Sequence, residues 1–317
     1  MQRSPVGRCG ALARQWLPNL SEVPYEAPRL RIMHLNTLAD CLAKSAPVLS
    51  NNRGFRCEPA ALQWGHRSAL LRQELLKHDC DIISLCEVDH FEDFFEPELS
   101  REGYVGTFKR KRSPAKDGVA IFWREQRLEE GLRRAVYLEH GGNRRTKGQQ
   151  VALLQRLRLT FGPTGPAKSI VVCATHLRAS ADDAHRMRQA SEVVSALAGF
   201  SRGDPQVVLA DVNSCAPLEA PFAGPPSGAF DYFAACGYRC AYRSVGHRLP
   251  SFTTWAGWAS GDFRAVCDHI FVKGPVEVMA VLDVPDSATF EAEFPERLPN
   301  GYFPSDHMSL VVDLGFP

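Results

Sequence analysis

No C-x-x-C pair occurs in this chain, although it carries 10 cysteines in 317 residues. The closest two, Cys236 and Cys240, have no histidine cluster beside them to complete a zinc site. Cys80, Cys86 and Cys173 sit inside apolar runs, where a buried free thiol is the ordinary state, so a reducing compartment fits best. No stretch approaches the ~18 apolar residues that a membrane span needs, and none is expected. Net charge is also nearly absent, since 37 Lys and Arg stand against 36 Asp and Glu. Bulk charge therefore argues against non-specific nucleic-acid binding, while a local basic groove stays open. Acids are missing from the start of the chain, where none precedes Glu22 and Arg3, Arg8 and Arg14 supply the charge. Leu12, Trp16 and Leu17 would line one helical face there, as in a mitochondrial presequence. A disordered basic arm has the same composition.

What is present is an ordinary globular balance, 44% hydrophobic and 23% charged, enough for a substantial core without disulfide staples. After Pro28, Leu30 to Leu35 reads as a first strand ending at Asn36. Leu62, Ala69, Leu70, Leu75 and Leu76 recur at helical spacing and predict one amphipathic helix from about Pro59 to His78. Asp81 to Cys86 is a second buried strand that delivers Glu87, and Val119 to Trp123 another, introduced by the Asp117-Gly118 turn. Val151, Leu153, Leu157 and Leu159 alternate, and a Gly-Pro turn leads to Ile170–Cys173, predicting an antiparallel hairpin that ends at Thr175-His176. Met187, Ala190, Val193, Val194 and Leu197 mark a second helix, followed by a strand at 207–209 ending at Asp211-Val212-Asn213. Pro217 to Gly228 reads as a loop, Ala265 to Val272 as a late strand, and the last strand begins after His307. Hairpins mixed with strand-helix-strand units imply an α/β domain of packed sheets.

Asn36, Glu87, His176, Asp211, Asn213, Asp268, Asp306 and His307 thus fall at or near strand ends, each group on a different segment. Catalytic groups collect at such positions because the scaffold is rigid while the tips stay open to solvent. Carboxylates and amide oxygens, with no thiolate set, suit Mg²⁺, with Mn²⁺ as a substitute, better than zinc. Glu87 with Asp306, helped by Asn36, would hold the ion. Asp211 and Asn213, separated by one residue, would point the same way, one activating water and the other orienting it or the phosphate. His176 and His307 are donors to phosphoryl oxygens, and Asp268 would fix the tautomer of His307 and stabilise its charged form.

The chain resembles the endonuclease–exonuclease–phosphatase superfamily from about Arg29 to Phe316, and within it the nocturnin branch, related to the mRNA deadenylases. The resemblance is carried by His34-Leu35-Asn36-Thr37-Leu38-Ala39, by Cys86-Glu87-Val88-Asp89-His90-Phe91, and by Gly103 to Phe108. Asp117 to Phe122, Thr175-His176-Leu177, Thr253-Thr254-Trp255 and Arg297-Leu298-Pro299 with Tyr302 to His307 add to it. It implies a four-layer sandwich of two mixed, mainly antiparallel β-sheets flanked by α-helices. It also implies a catalytic domain over 29–317, which leaves residues 1–28 as the basic arm, a candidate presequence by composition, and it implies Mg²⁺-dependent phosphoester hydrolysis. Nocturnin-like proteins remove the 2′-phosphate of NADP⁺ and NADPH, whereas the deadenylases act on the 3′ end of single-stranded RNA. Lys111 and Arg264 match basic positions that hold the dinucleotide, and Arg178 stands where the family has a lysine. Three departures stand out: Ser180 replaces a phosphate-clamping arginine, Ala210 and Val212 flank Asp211 in place of glycine and phenylalanine, and His269 follows Asp268 where a tyrosine is usual.

The expected function is therefore NADP(H) 2′-phosphatase, with 3′–5′ exoribonuclease as the alternative. Trp123, Phe252, Trp255 and Trp258 would be the stacking platforms of that alternative, although aromatics at strand positions are more often core. A catalytically silent interaction protein would have shed metal or base residues, and all are present here. The expected location is cytoplasmic, or mitochondrial through the basic arm, and no protein partner is indicated.

Overall fold

A computed structural model of the chain describes residues 13–21, 28–49, 54–138, 149–161, 168–179, 182–215 and 227–317. Two mixed sheets dominate it. The first has seven strands in the order Trp16–Pro18, Glu277–Leu282, Leu310–Gly315, Arg29–Asn36, Ile82–Val88, Gly118–Arg124 and Tyr104–Arg110. The second has six, in the order Arg239–Cys240, Asp268–Lys273, Gln206–Asp211, Ser169–His176, Val151–Leu159 and Leu128–Tyr137. Each sheet contains one parallel pair, Arg29–Asn36 with Ile82–Val88 and Ser169–His176 with Gln206–Asp211; every other pairing is antiparallel. A helix connects the strands of each parallel pair, Trp64–Leu76 in one case and Asp183–Phe200 in the other, as parallel neighbours require. The expected sandwich of two mixed sheets flanked by helices is the fold observed.

Alternation decides which residues meet where. Leu30, Ile32 and Ile82 face the interior shared with Val207–Leu209 and Ile270–Val272, and that core continues to Val193 and Leu197 of the second connecting helix. Met33, Leu35, Ile83 and Leu85 face the other way, against Leu71 and Leu75 of the first. Burying each of those leucines contributes roughly 1.5–3 kcal/mol. That outweighs a weak helix start, where Gln63 makes no side-chain cap bond, a feature worth about 1 kcal/mol.

The structure departs from the sequence expectation in several places. The helix expected over Pro59–His78 is a 3₁₀ turn at Pro59–Leu62 and a separate helix at Trp64–Leu76, because Gln63 between them is extended at φ −67°, ψ 133°. Its buried face is also rotated, with Arg67, Leu71, Glu74 and Leu75 inside and Ala69 exposed. Trp16 and Leu17 lie in an edge strand paired with Leu282 and Val281, not on a helical face. Arg14 beside them is tied to Ser309 Oγ and to the Ser309 carbonyl, both at 2.8 Å. Leu128–Tyr137 is a strand that the hydrophobic pattern did not mark, since residues 129–135 are exposed on both faces of an edge. The Pro217–Gly228 loop lies outside the described residues as far as 226, and Gly228 opens the helix Gly228–Ala235.

Candidate active site

The carboxyl ends of the two parallel pairs meet across the sandwich, where ligands of open α/β sheets are commonly bound. One pair brings Asn36 and Glu87, the other His176 and Asp211. Asn36 Nδ2 donates to Glu87 Oε1 and to Asp211 Oδ2, both at 3.1 Å, so one amide joins the sheets. Its Oδ1 accepts the Leu38 N–H at 3.0 Å.

Glu87 reaches this place through a bulge. Its neighbours Cys86 and Val88 pair with Val119 and Gly118, which leaves Glu87 as the extra residue, in the left-handed region at φ 57°. Bulges of this kind re-aim a side chain, at a backbone cost that non-glycine residues accept mostly at functional positions. Asn213 is also left-handed, at φ 48°, and its N–H closes a turn onto Asp211 Oδ1 at 3.0 Å. Its Nδ2 donates to the Leu177 carbonyl at 2.9 Å and lies 3.0 Å from His176 Nε2. With Nε2 accepting, a neutral His176 keeps its proton on Nδ1, which faces Glu87 Oε1 at 3.8 Å. Burial, aided by Lys111 and His307, pulls the His176 pKa well below its usual value and keeps the ring neutral.

His307 takes the opposite state. Burial opposes its charge, but Asp268 and Asp306 outweigh that and hold its pKa well above the ordinary histidine value. Its Nδ1 donates to Asp268 Oδ2 at 2.8 Å, and the same oxygen accepts Thr253 Oγ1 at 2.7 Å. Burial works against the Asp268 charge as well, yet the His307 cation and hydrogen bond keep that carboxyl ionised. His307 Nε2 stands 3.9 Å from Asp211 Oδ2, and burial together with Asp268 raises the Asp211 pKa to about 6. The turn bearing Asp306 and His307 is held from both sides. Met308 N–H donates to the Thr253 carbonyl at 2.7 Å, Ser305 Oγ to the Asn36 carbonyl at 2.6 Å, and Arg67 Nε to the Pro304 carbonyl at 2.8 Å.

The donor set fits a hard divalent cation. Burial raises the Glu87 pKa to about 7, and the charges of Asp117 and Asp306 push it the same way against Lys111. Burial raises Asp306 too. Acids held together with raised proton affinity are a cluster that a cation would relieve. A compact trio, Asp211, Asp268 and His307, has ligand atoms within 4.8 Å of one another. A charged, hydrogen-bonded imidazole is a poor metal ligand, so that trio suits proton handling, whereas Glu87 and Asp306 suit the ion.

Among the basic candidates, Lys111 Nζ is buried and pairs with Asp117 Oδ2 at 2.6 Å, its charge sustained against burial by Asp117 and Glu87. Gly118, next to Asp117, lets its strand approach Tyr104–Arg110 closely, since a Cβ there would stand 2.3 Å from the Lys109 carbonyl. Arg264 stacks over Trp255, 4.7 Å from the ring centre, on the hairpin Thr254–Trp258/Gly261–Ala265. Arg178 is half-buried just beyond His176-Leu177, its N–H donating to Gln189 Oε1 at 3.0 Å. Ser180 lies outside the described residues. Trp123, Phe252 and Trp255 are core, while Trp258 is half-buried and stacks on Phe55 at 4.1 Å. A cavity of about 430 Å³ lies behind the His307 turn, lined by Arg14, Leu70, Leu76, Phe303 and Met308 among others, and takes in none of the clustered groups. The sequence pattern assigns no site role to Arg67, Ser305 or Asp117; their burial in three dimensions reveals one.

The sequence pattern of the Endonuclease/Exonuclease/phosphatase family matches residues 34–307. Nocturnin of Homo sapiens is 30% identical over 326 residues, covering 96% of this chain and 69% of that protein. The human nocturnin catalytic domain, solved with a bound sulfate anion, superposes with a TM-score of 0.70 at 27% identity, over 96% of this chain and 98% of that one. ANGEL2, a 2′,3′-cyclic phosphatase solved with adenosine-2′,3′-vanadate, shares the fold at a TM-score of 0.78 and 18% identity, over 97% and 99% of the two chains. The chain belongs to the Endonuclease/Exonuclease/phosphatase family and is a phosphoester hydrolase.

Proposed function

We propose that the chain removes the 2′-phosphate of NADP⁺ and NADPH, using Mg²⁺ held by Glu87 and Asp306 with Asn36 beside them. Mn²⁺ would substitute. The observation that carries this reading is the pairing of two histidines in opposite states over one acid cluster, His307 charged on Asp268 and His176 neutral on Asn213. The nocturnin likeness points to the same substrate. Enzymes of this family generally depend on a divalent metal, which would neutralise phosphate charge and polarise the phosphorus–oxygen bonds.

The chain's own groups do the rest. Asp211, raised to about 6, is matched to take a proton from the attacking water near neutral pH, and Asn213 orients that water. A water oxygen–phosphorus bond forms and the phosphorus–O2′ bond breaks; the water's proton passes to Asp211, and the 2′-oxygen takes a proton from solvent to leave as the alcohol. His307 and the Nδ1–H of His176 donate to the phosphoryl oxygens. Lys111 adds positive charge beside Glu87, and Arg178 and Arg264 would hold the dinucleotide.

One observation favours the alternative 3′–5′ exoribonuclease. Lys109 and Arg112 flank the half-buried ring of Tyr137 at 5.3 and 4.3 Å, a cation–aromatic surface next to Lys111 that would suit a nucleic-acid strand. The two readings separate when purified protein and Mg²⁺ are offered NADPH and a 3′-hydroxyl oligoadenylate in parallel. Inorganic phosphate from NADPH with the oligomer intact is expected; a shortening ladder with NADPH untouched would overturn the proposal.

A further inference from the structure

His34 has no part in the chemistry above. Alternation along Arg29–Asn36 places it on the inward face, between Ile32 of the sheet–sheet core and Asn36 of the site. It is fully buried, at 0% exposure, and neither ring nitrogen has a hydrogen-bond partner. Across the interior, Nε2 lies 3.6 Å from Asp268 Oδ1. That oxygen is the idle half of the carboxylate, since His307 and Thr253 both engage Oδ2, and it too lacks a partner. Ser84, opposite His34 in the parallel register, adds a third buried and unpartnered polar group. An apolar side chain would pack this layer without the penalty of burying an unpaired imidazole. Two orphaned groups 3.6 Å apart are a hydrogen bond that needs a few tenths of an ångström to close.

We propose that His34 is a positioning residue, donating its Nε2–H to Asp268 Oδ1 and so holding the carboxylate with Oδ2 aimed at His307 Nδ1. One carboxylate of the second sheet then serves two histidines, His34 in a strand of the first sheet and His307 in the turn that enters that sheet's strand Leu310–Gly315. His307 touches the substrate, and His34 acts through Asp268 alone. Its effect on turnover rests on the phosphatase reading, but the hydrogen bond itself can be followed without substrate.

The test compares wild type with His34→Leu, His34→Gln and His34→Asn in metal-free protein. The readout is the low-field proton resonance of His307 Nδ1–H, assigned by its loss in His307→Ala, with thermal unfolding recorded alongside. Steady-state kinetics with NADPH and Mg²⁺ follow. His34→Leu is expected to shift or broaden the resonance and to lower kcat about tenfold with KM unchanged. His34→Gln, whose amide nitrogen reaches the place of Nε2, should keep both. His34→Asn, whose amide mimics Nδ1, should behave like the leucine variant. The proposal is overturned if His34→Leu keeps the resonance, or if the glutamine and asparagine variants behave alike. Should His34→Leu not fold, the glutamine–asparagine contrast decides. Should wild type release no phosphate from NADPH, the resonance still decides, so failure of the substrate reading is told apart from failure of this one.

Discussion

In a regular strand Glu87 would share the outer face with Ile83 and Leu85, under the helix Trp64–Leu76. The bulge that reverses it leaves a largely buried carboxylate, its side chain 13% exposed, near Asp306 and Asp117, with a pKa raised to about 7 chiefly by that burial. Glu87→Gln removes the charge and keeps the shape. Phosphate release should fall at least about 100-fold, while metal-free protein should melt no lower than wild type, because the neighbouring acids lose a repelling partner. A glutamine variant active at full rate would sink the metal assignment. His307→Ala should likewise abolish turnover with the fold retained, since Asp268 keeps Thr253 as a partner. His269 supports a different prediction. Burial lowers its pKa to about 4, its Nε2 facing the Ser214 carbonyl at 3.1 Å. As pH falls below ~6.5 the unfolded chain takes up a proton that folded His269 refuses, so stability drops until pH nears 4 and both states are protonated. That contribution amounts to roughly 3 kcal/mol. Denaturant midpoints measured between these pH values should fall more steeply for wild type than for His269→Gln; parallel profiles would refute the assignment. Reading the sequence alone located the strand-end polar residues, because a strand that stops at Asn36 or Asp211 is visible in its apolar run. The bulge was not visible: the run Leu85-Cys86-Glu87-Val88 looks the same whether or not Glu87 is turned inward.

At the scale of elements, the helix Trp64–Leu76 shows why periodicity misplaced a face. Two of its four buried positions are charged, Arg67 and Glu74, and a count of apolar residues cannot register them. Arg67 is buried because it joins three carbonyls, Pro304 at 2.8 Å, Thr37 at 2.7 Å and Leu38, while burial lowers its pKa against the pull of Asp40 and Asp306. It therefore clamps the loop after Asn36 to the turn before Asp306. Arg67→Met should cost about 3–5 kcal/mol, as removal of one partner from a buried charged network does. Arg67→Lys should recover only part of this, since an ammonium cannot span the carbonyls as a planar fork does. Urea unfolding of the three proteins checks both; a methionine variant within about 1 kcal/mol of wild type would show that the clamp is idle. The long apolar runs were legible as strands because burial on both faces leaves them unmistakable. The edge strands Trp16–Pro18 and Leu128–Tyr137 were not, because partners far along the chain, such as Leu282 and Leu159, create them.

For the molecule as a whole, a net charge of +1 offers little long-range attraction to a polyanion. A small dinucleotide displaces few counterions. Its kcat/KM should therefore change only modestly between about 50 and 200 mM salt, whereas processing of an RNA strand would weaken by orders of magnitude. A steep decline with NADPH would point to a wider charged surface than the acid cluster and its few cations provide. Asn36 and Glu87 stand on one sheet, His176 and Asp211 on the other, and the contacts of Asn36 with Asp211 and of Glu87 with His176 span the two. Catalysis is in this sense a strain gauge for the sandwich. A slip of about one ångström between sheets would cost roughly 100-fold in rate while leaving each sheet's own ladder intact. On warming, turnover should therefore vanish at a lower temperature than the far-ultraviolet dichroism of the strands, and a tightly bound product should bring the two temperatures together.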